Sequence, residues 1–375
     1  MTLLTINTGS SSVRLAAHTD DLTRLANAHH IINGEMQATP LLAEFLRRPG
    51  VGPIGVVAHR IVHGGERLTA PCRIDAAVEA EIERLSPLAP LHNPFALAWI
   101  RACHELLGAD VPQVAVFDTG FYADLPTVAR TYALPRALAE RRRLRRYGFH
   151  GLAHQAMWRR WQVLQARRAG DARVISLQLG AGCSITAIRD GKAVDTSMGF
   201  SPLEGLVMAT RSGDVDPGLL LYLQRAEGMT PERLEKLLNE ESGLLGVSEA
   251  SGDMRALLTS SDPQARLAVD LYCYRACKYI GAYLATLGGA DAILFGGGVG
   301  EHAPAVRAKI LDSMQWAGIV LDAARNDVAI GTEVRISDLN SKVEVWVVPV
   351  DEAVILAQAA QAVLGQAAPT KEARL

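Results

Sequence analysis

Short apolar segments alternate along the chain with longer stretches of helical character. Six apolar runs, each followed closely by glycine or polar residues, predict buried strands. The runs are Leu3–Ile6, Val56–Val62, Val114–Phe117, Val174–Leu179, Ala292–Phe295 and Val343–Val348. Because strands and helices alternate, the pattern predicts an α/β architecture.

Four of the intervening stretches begin with a helix start signal. Proline suits the first helical turn, and Asn, Asp or Thr directly before it caps the free amides. The pairs are Asn93-Pro94, Asp216-Pro217, Thr230-Pro231 and Asp262-Pro263. The first helix is expected to end near Leu107 and the last near Leu287. A glycine follows each of these ends and predicts a left-handed stop.

Two segments half a chain apart share one pattern. Residues 4–15 and 174–188 each consist of a strand, a tip of glycine and small residues, and a second strand. This repetition predicts a duplicated domain. Tips of this kind let backbone amides approach an anion, so two of them are expected to grip a polyphosphate across a cleft. Ordinary tight hairpin turns are the alternative interpretation.

Length and composition favour two globular domains. The chain has 375 residues, of which 49% are apolar and 21% charged. No window approaches the roughly 20 uncharged apolar residues that span a bilayer, so no membrane partner is expected. The N-terminus lacks the features of a secretion signal, which predicts a cytoplasmic location. We expect a first lobe of residues 1–120 completed by a C-terminal helix at 353–366, a second lobe of 121–352, and a flexible tail at 367–375.

Cysteine spacing and charge exclude several classes of site. The five cysteines include no Cys-x-x-Cys pair, and an odd number argues against a complete disulfide framework, so we expect reduced packing residues. The formal net charge of −2 gives no reason to expect nucleic acid as a partner. The basic run at 141–146 is interpreted as a solvated helix face.

The familiar nucleotide-binding loops are absent from the sequence. There is neither a Gly-x-x-x-x-Gly-Lys-Ser/Thr loop nor a Gly-x-Gly-x-x-Gly that opens a helix at the right place. A glycine cluster at Gly296–Gly300 directly follows the strand ending at Phe295, where α/β sheets tend to place ligands. Nucleotide binding would therefore require another scaffold.

Several longer motifs carry a family resemblance. They are Ala58–Glu66, Pro90–Pro94, Val116–Thr119, Arg145–Gly151, Asp195–Phe200 and Arg211–Pro217. In this order and spacing the chain closely resembles the acetate kinase (acetokinase) family, from Leu4 to about Ala357. The resemblance implies a duplicated ribonuclease-H-like, actin-like ATPase fold with two lobes and a central cleft. It also implies ATP and a short carboxylic acid as substrates, Mg²⁺ (or Mn²⁺) as cofactor, and a homodimer.

Joining a carboxylate to ATP brings two anions together, so cations and hydrogen-bond donors must converge. Guanidinium groups suit this task because they bind carboxylate and phosphate through two parallel hydrogen bonds. By resemblance, Arg60 and Arg211 hold the acyl carboxylate and the migrating phosphoryl group, and His92 and His150 line the transfer site. A carboxylic acid is already ionised at neutral pH, so Asp118 is expected to order metal-bound water or Arg60 rather than act as a base.

The resemblance assigns further residues to each ligand. The metal would lie near Asn7 and Glu352. The acyl pocket would contain Val62, Leu91, Phe149 and Pro202. The nucleotide would contact Ser12, Arg14, Gln178, Leu179, Gly180, Ala181, Gly182, Asp253, Met254, Arg255, Gly297, Gly298, Val299, Gly300 and Glu301.

The chain departs from the family pattern mainly on the phosphate-donor side. Arg14 replaces a lysine, Gln178 and Ala181 replace His and Asn in the second tip, and His302 replaces an asparagine after Glu301. Three other functions stay open from the sequence. They are a propionate or butyrate kinase, a pyrophosphate-linked form of the same chemistry, and a non-catalytic nucleotide-dependent clamp on the same fold.

Overall fold

The apolar runs form two six-stranded sheets in a computed structural model of the chain, which describes residues 1–9, 12–31, 37–90, 92–165, 170 and 172–366. One sheet belongs to a unit made of Met1–Ala123 and the segment from Asp351 onward. The other belongs to a unit made of Asp124–Val350. Residues 10 and 11, Leu91 and the expected tail at 367–375 lie outside the described residues.

The helices and strands are numbered in chain order. The first unit contains β1 (Thr2–Thr8), β2 (Ser12–His18), β3 (Arg24–Ile31), α1 (Ala38–Leu46), β4 (Ile54–Ile61), β5 (Cys72–Arg73), α2 (Ala76–Arg84), α3 (Asn93–Leu107) and β6 (Gln113–Phe117). The second contains α4 (Thr127–Arg130), α5 (Arg136–Arg142), α6 (Gly151–Gln165), β7 (Arg173–Leu179), β8 (Cys183–Arg189), β9 (Lys192–Thr196), α7 (Pro217–Ala226), α8 (Pro231–Glu240), α9 (Gly243–Ser248), α10 (Met254–Thr259), α11 (Pro263–Leu287), β10 (Ala292–Gly296), α12 (Gly297–His302), α13 (Pro304–Leu311), α14 (Ala323–Val328), β11 (Val334–Arg335) and β12 (Glu344–Val347). Helix α15 (Glu352–Gln366) returns to the first unit.

The two sheets share one topology. Their strand orders are β3-β2-β1-β4-β6-β5 and β9-β8-β7-β10-β12-β11. In each, a three-stranded antiparallel meander leads to two further parallel strands and a short antiparallel edge strand. The prediction of an α/β fold with an internal duplication is therefore confirmed.

The core of the first unit explains why its strands are so apolar. Leu4, Ile6 and Leu15 pack with Phe45 of α1 and Trp99 of α3 in one fully buried cluster. Burying each such side chain contributes about 1.5–3 kcal/mol. Helix α15 packs against β1, β4 and β6, so the C-terminal helix covers the central strands of this sheet.

Three of the four predicted helix caps are present. Asp216, Thr230 and Asp262 each accept a hydrogen bond from a backbone amide in the first turn of the helix that follows. The fourth prediction was wrong, because the position before α3 is His92 and Asn93 lies inside the helix. Asn93 instead accepts a hydrogen bond from the His63 amide and donates one to the His63 carbonyl. A contact with a distant loop therefore replaced the local cap.

The glycines that follow the two predicted helix ends differ in conformation. Gly288 after α11 is left-handed, with φ 70° and ψ 38°, as expected. Gly108 after α3 has φ 86° and ψ 165°, so the left-handed stop predicted there was wrong. The extended ψ directs the chain onward to β6 instead of folding it back onto the helix.

The basic run is not a single helix face, so that interpretation was wrong. Helix α5 ends at Arg142, and Arg143 is left-handed with φ 53°. Beyond it, Arg146 is partly buried, forms an ion pair with Glu204 and donates a hydrogen bond to the Ser197 carbonyl.

The cysteines are free thiols at all five positions. Cys103, Cys183 and Cys273 are buried, and Cys72 and Cys277 are half-buried. Among the described residues, no helix has both the length and the apolar character required to cross a bilayer.

Candidate functional site

Three polar residues of the first unit meet because of where their strands end. Asn7 is the next-to-last residue of β1, Arg60 is the next-to-last residue of β4, and Asp118 directly follows β6. These three strands are parallel neighbours, so their carboxyl ends share one edge of the sheet. Glu352 joins them from the first turn of α15, which packs on the same strands.

Arg60 is the centre of this cluster. Its Nε donates to both carboxylate oxygens of Asp118 at 3.1 Å, and its Nη2 donates to Asp118 Oδ2 at 2.6 Å. Its Nη1 donates to Asn7 Oδ1 at 3.0 Å and lies 3.7 Å from Glu352 Oε2. Burial by itself would lower the pKa of Arg60, but the carboxylates of Asp118 and Glu352 outweigh it and raise that pKa. Arg60 is therefore a permanently charged, rigidly oriented cation.

The geometry around Asp118 fits an orienting role better than that of a base. Its side chain is 1% exposed, and Arg60 donates to both of its oxygens in a fork. Such a fork stabilises the carboxylate form and directs its lone pairs at the guanidinium. This is consistent with the expectation that Asp118 orders Arg60.

The same cluster offers oxygen atoms of the kind that Mg²⁺ binds. Asn7 contributes an amide, Asp118 and Glu352 contribute carboxylates, and the Asn7 amide also donates to Glu352. No group of three or more His, Cys, Asp or Glu side chains suited to a metal ion occurs in the described part of the chain. Mg²⁺ needs no such group, because it binds one or two carboxylates and completes its shell with water and phosphate oxygens. The donor set therefore fits Mg²⁺ or Mn²⁺.

The histidines near β4 are buried and neutral. His59 Nε2 lies 2.7 Å from Gln113 Oε1, and the Nδ1 atom of His63 accepts a hydrogen bond from the Gly65 amide. Desolvation lowers the pKa of each to about 4. His92 lies directly before α3 and is 8% exposed, and Val62 is also buried. Leu91, the second residue assigned to the acyl pocket of this unit, lies outside the described residues.

In the second unit, the tip between β7 and β8 lies against two donor groups. The Gly180 amide donates to the Gly182 carbonyl at 3.1 Å, and the Ala209 amide donates to the Ala181 carbonyl at 3.0 Å. A Cβ atom added at Gly182 would lie 3.5 Å from both Arg211 Nη1 and His150 Nε2. The tip therefore brings its backbone, a guanidinium and an imidazole to one point.

Arg211 is held in place by the chain around it. It is 9% exposed, and its Nη1 donates to the Pro202 carbonyl at 3.1 Å. Desolvation lowers the pKa of Arg211, and the neighbouring Cys183 thiol opposes this shift. A bound anion such as phosphate would offset the cost of burying this cation.

His150 adopts an unusual backbone conformation. Its φ is 57°, in the left-handed region that residues other than glycine rarely occupy. It directly precedes α6, and its carbonyl accepts a hydrogen bond from the His154 amide. Strained residues of this kind concentrate at functional sites, which supports the assignment of His150.

Two buried serines that sequence reasoning missed contact these histidines. Ser184 Oγ lies 2.9 Å from His150 Nδ1 and 2.8 Å from His154 Nε2. Ser176 Oγ lies 2.9 Å from His154 Nδ1. The sequence did contain a signal for these contacts, because Ser176 and Ser184 are polar residues within otherwise apolar strands. Buried hydroxyl groups require hydrogen-bond partners.

A second missed network holds the loop before His150. Glu204 binds both Arg146 and the Tyr132 hydroxyl, which in turn accepts a hydrogen bond from the Phe200 amide. The Tyr147 amide donates to the Gly199 carbonyl at 2.9 Å. These contacts fix the segment that carries Phe149, which is 1% exposed, and the nearby half-buried Pro202.

The third glycine cluster packs on the second tip. Gly297, the first residue of α12, has φ 78°, and a Cβ atom there would lie 2.6 Å from the Leu179 carbonyl oxygen. Gly298, Val299 and Gly300 continue the helix. Glu301 Oε1 accepts a hydrogen bond from the Gly297 amide at 2.9 Å, so this carboxylate caps its own helix.

The other assigned nucleotide residues belong to several elements. Asp253 caps α10 and pairs with the exposed Arg255, while Met254 is buried. Gln178, at the end of β7, has a buried Oε1 without a hydrogen-bond partner in the described structure. Ser12 and the exposed Arg14 belong to β2 of the first unit.

Comparison with known proteins identifies one family. The model of the acetokinase family matches residues 21–358. An acetate kinase of Chloroherpeton thalassium is 49% identical over 310 residues, which cover 81% of this chain and 74% of the relative. The crystal structure of Porphyromonas gingivalis acetate kinase superposes with a TM-score of 0.88 at 37% identity, covering 97% of this chain and 99% of that one. A propionate kinase from Francisella tularensis gives a TM-score of 0.88 at 32% identity, covering 96% and 99%.

Proposed function

Because the chain belongs to the acetokinase family, we propose that it is an acetate kinase, which transfers the γ-phosphoryl group of ATP reversibly to acetate. The observation that carries this proposal is the meeting of Arg211, His150 and the Gly182 backbone at one point of the second unit. A guanidinium, an imidazole and a glycine tip supply the positive charge and hydrogen-bond donors that stabilise a migrating phosphoryl group. The curated relative at 49% identity also carries the name acetate kinase.

The proposed reaction is a direct in-line displacement. A carboxylate oxygen of acetate forms a bond to the γ-phosphorus while the bond from that phosphorus to the bridging oxygen of ADP breaks. ADP leaves with the electron pair, and acetyl phosphate is the other product. Since acetate is ionised at neutral pH, no side chain has to remove a proton.

Each charged cluster has its own task in this proposal. Arg60, held rigidly by Asp118, binds the acetate carboxylate. Arg211 and His150 donate hydrogen bonds to the oxygens of the migrating phosphoryl group. Asn7 and Glu352 would hold Mg²⁺, and the metal when bound would neutralise phosphate charge. The glycine loops of the second tip and of α12 bind the nucleotide.

The test is a hydroxamate assay for acetyl phosphate with ATP, Mg²⁺ and acetate. We expect robust activity from the wild type and a fall in kcat of at least about 100-fold in Arg211→Ala, as for loss of a transition-state donor. Arg233→Ala, which removes an exposed arginine of the same unit paired with Glu241, is the matched control and should retain activity. A wild type no faster than Arg211→Ala would refute the proposal.

A propionate kinase is the second candidate, because the Francisella structure is as similar in fold as the acetate kinase structure. One methylene changes discrimination by about 10–200-fold. We expect kcat/KM for acetate to exceed that for propionate and butyrate in parallel assays. Replacing ATP with pyrophosphate in the same assay should abolish product formation, and activity with pyrophosphate would support the pyrophosphate-linked alternative.

We also propose a cytoplasmic homodimer. ATP as donor and five free thiols support this location. Exposed apolar side chains on α7 and α11 of the second unit support a covered face between two copies; they are Leu219, Leu221, Tyr222, Leu267 and Tyr274. Arg275 and Tyr279 of α11 bind the segment that leads into α7.

A further inference from the structure

Four side chains form an unbroken line of hydrogen bonds that ends at His150. Ser176 Oγ lies 2.9 Å from His154 Nδ1, His154 Nε2 lies 2.8 Å from Ser184 Oγ, and Ser184 Oγ lies 2.9 Å from His150 Nδ1. Ser176, His154 and Ser184 are all fully buried. Since water does not reach these three groups, their protons must be shared within the line.

Each member of the line has a limited number of protons. A serine hydroxyl donates one hydrogen bond, and a neutral imidazole carries one N–H and one acceptor nitrogen. His154 is neutral, because desolvation and the neighbouring His150 lower its pKa well below the ordinary value. Which group donates in each hydrogen bond of the line is therefore decided by one proton, that of the Ser176 hydroxyl.

The Ser176 hydroxyl has two acceptors within reach. One is His154 Nδ1 at 2.9 Å, and the other is the Met157 sulfur at 3.7 Å. A thioether is a weak acceptor, whereas an imidazole nitrogen is a good one. The proton of Ser176 therefore points at His154 Nδ1.

The remaining protons follow from this choice. With Nδ1 of His154 accepting, its Nε2 carries the proton and donates to Ser184 Oγ. Because the protonated His154 Nε2 cannot accept, the Ser184 hydroxyl donates its proton to its other partner, His150 Nδ1. The tautomer of an imidazole is set by the hydrogen bond at its other nitrogen, so neutral His150 carries its proton on Nε2.

We propose that Ser176, His154 and Ser184 are positioning residues that keep neutral His150 in the Nε2–H tautomer, a hydrogen-bond donor toward the phosphoryl group. This inference rests on the proposed function for the identity of the acceptor. His150 Nε2 and Arg211 Nη1 both lie 3.5 Å from the position of a Cβ atom added at Gly182, so the two groups are close enough to donate to one anion. If His150 were instead the Nδ1–H tautomer, its Nε2 would present a lone pair to the phosphoryl group, and a lone pair repels phosphate oxygens.

The experiment is ¹⁵N NMR of the histidine rings in protein labelled at histidine, since ring nitrogen shifts distinguish the two tautomers. The signals of His150 and His154 are assigned by their loss in His150→Gln and His154→Gln. Spectra are recorded across pH to find the range in which His150, which lies beside His154 and Arg211, is neutral. We expect Nε2–H tautomers at both positions in the wild type.

Ser176→Ala is the decisive variant, because it alters a residue three hydrogen bonds away from His150. We expect a mixture of tautomers at His150 and a fall in kcat of about tenfold, with the KM for acetate unchanged. Ser176→Thr keeps the hydroxyl and should show the wild-type tautomer at His150 and the wild-type kcat. Ser248→Ala, which removes another buried serine hydroxyl of the same unit, is the matched control and should change neither.

Two outcomes would overturn the inference. One is an Nδ1–H tautomer at His150 in the wild type. The other is a Ser176→Ala variant whose His150 tautomer and kcat are both unchanged. The ring spectra need no turnover, so a protein that made no acetyl phosphate would refute the proposed function while the tautomer was still measured.

Discussion

The buried arginines of this protein are stabilised in different ways. The positive charge of Arg60 is balanced by the Asp118 and Glu352 carboxylates, which raise the pKa of Arg60. Arg307 is completely buried and donates to the carbonyl oxygens of Gly300, Asn326 and Ala329, and desolvation lowers its pKa to about 10. Through Gly300 it anchors the glycine helix α12. A buried cation therefore orders the polar side chains of a sheet edge at position 60 and a glycine helix at position 307.

Replacement of Asp118 by asparagine tests the first of these arrangements. Asp118→Asn keeps the shape of the side chain but leaves the Arg60 charge without its main counter-ion. Because breaking a buried ion pair is costly, we expect the free energy of unfolding to fall by about 3 kcal/mol. The KM for acetate should rise as Arg60 loses its orientation. Urea unfolding and steady-state kinetics measure the two effects.

The exposed pair of Asp253 and Arg255 provides the control. Asp253→Asn removes the charge of a solvent-screened pair, and asparagine still caps α10. The free energy of unfolding should stay within measurement error of the wild type. An equal loss of stability in both variants would contradict the distinction between buried and exposed pairs.

Buried neutral histidines predict a loss of stability in mild acid. The pKa of His59 is lowered to about 4, whereas in the unfolded chain it is about 6.5. As the pH falls from about 6.5 toward 4, the unfolded chain binds a proton that folded His59 rejects, so the free energy of unfolding falls. Between pH 7 and pH 5 this contributes about 2 kcal/mol.

The variant His59→Gln tests this contribution, because glutamine does not titrate and can still bond to Gln113. Its loss of stability between pH 7 and pH 5 should be about 2 kcal/mol smaller than that of the wild type. His29→Gln, at an exposed position of β3, should reproduce the wild-type difference. Urea unfolding at both pH values checks the prediction, and identical differences in all three proteins would exclude it.

At the scale of elements, two glycine segments of the second unit are packed on each other. The start of α12 approaches the backbone at Leu179, directly before the tip of β7 and β8. Only glycine combines this contact with the positive φ of Gly297. The two loops assigned to the nucleotide therefore act as one structural piece.

Alanine substitutions at neighbouring glycines test this packing. Gly297→Ala places a methyl group 2.6 Å from the Leu179 carbonyl oxygen at a φ of 78°, so we expect a stability loss of about 1–3 kcal/mol. The KM for ATP should rise because both loops shift. Gly298→Ala meets nothing within 4 Å and should leave stability near wild type. Equal effects at the two positions would argue against the packing account.

At the scale of the whole molecule, the same sheet topology occurs twice but carries different residues at the corresponding strand ends. In the first unit the carboxyl ends of the parallel strands carry Asn7 and Arg60, with Asp118 just after them. In the second unit the corresponding ends carry Gln178 and the glycines of α12. Duplication therefore supplied two equivalent sheet edges, one lined with charged groups and the other with glycine loops.

The proposed homodimer is tested by mass measurement. Wild-type protein is expected to show twice the chain mass of 40.3 kDa in size-exclusion chromatography with light scattering. Leu221→Glu combined with Tyr274→Glu should shift it to the monomer, because charges oppose burial of the apolar face. Val163→Glu changes an equally exposed apolar residue on α6 and should remain dimeric. A monomeric wild type would rule out the proposal.

Local pattern determined much of this architecture. The six apolar runs all became strands, and three of four proline-marked helix starts have the expected cap. The half-chain repeat of the glycine tips correctly indicated duplication, because hydrophobic periodicity and turn chemistry are properties of short segments. The motifs that resemble acetate kinases likewise depended on order and spacing along the chain, and the family followed from them.

Only the tertiary structure decided which distant polar groups meet. Asn93 accepts a hydrogen bond from the His63 amide instead of capping α3. Arg146 forms an ion pair with Glu204 instead of belonging to a solvated helix face. The hydroxyl groups of Ser176 and Ser184 bind His154 and His150 only because β7 and β8 pack beside the start of α6. A hydrogen bond between residues far apart in sequence depends on how whole elements pack, and no local pattern records that packing.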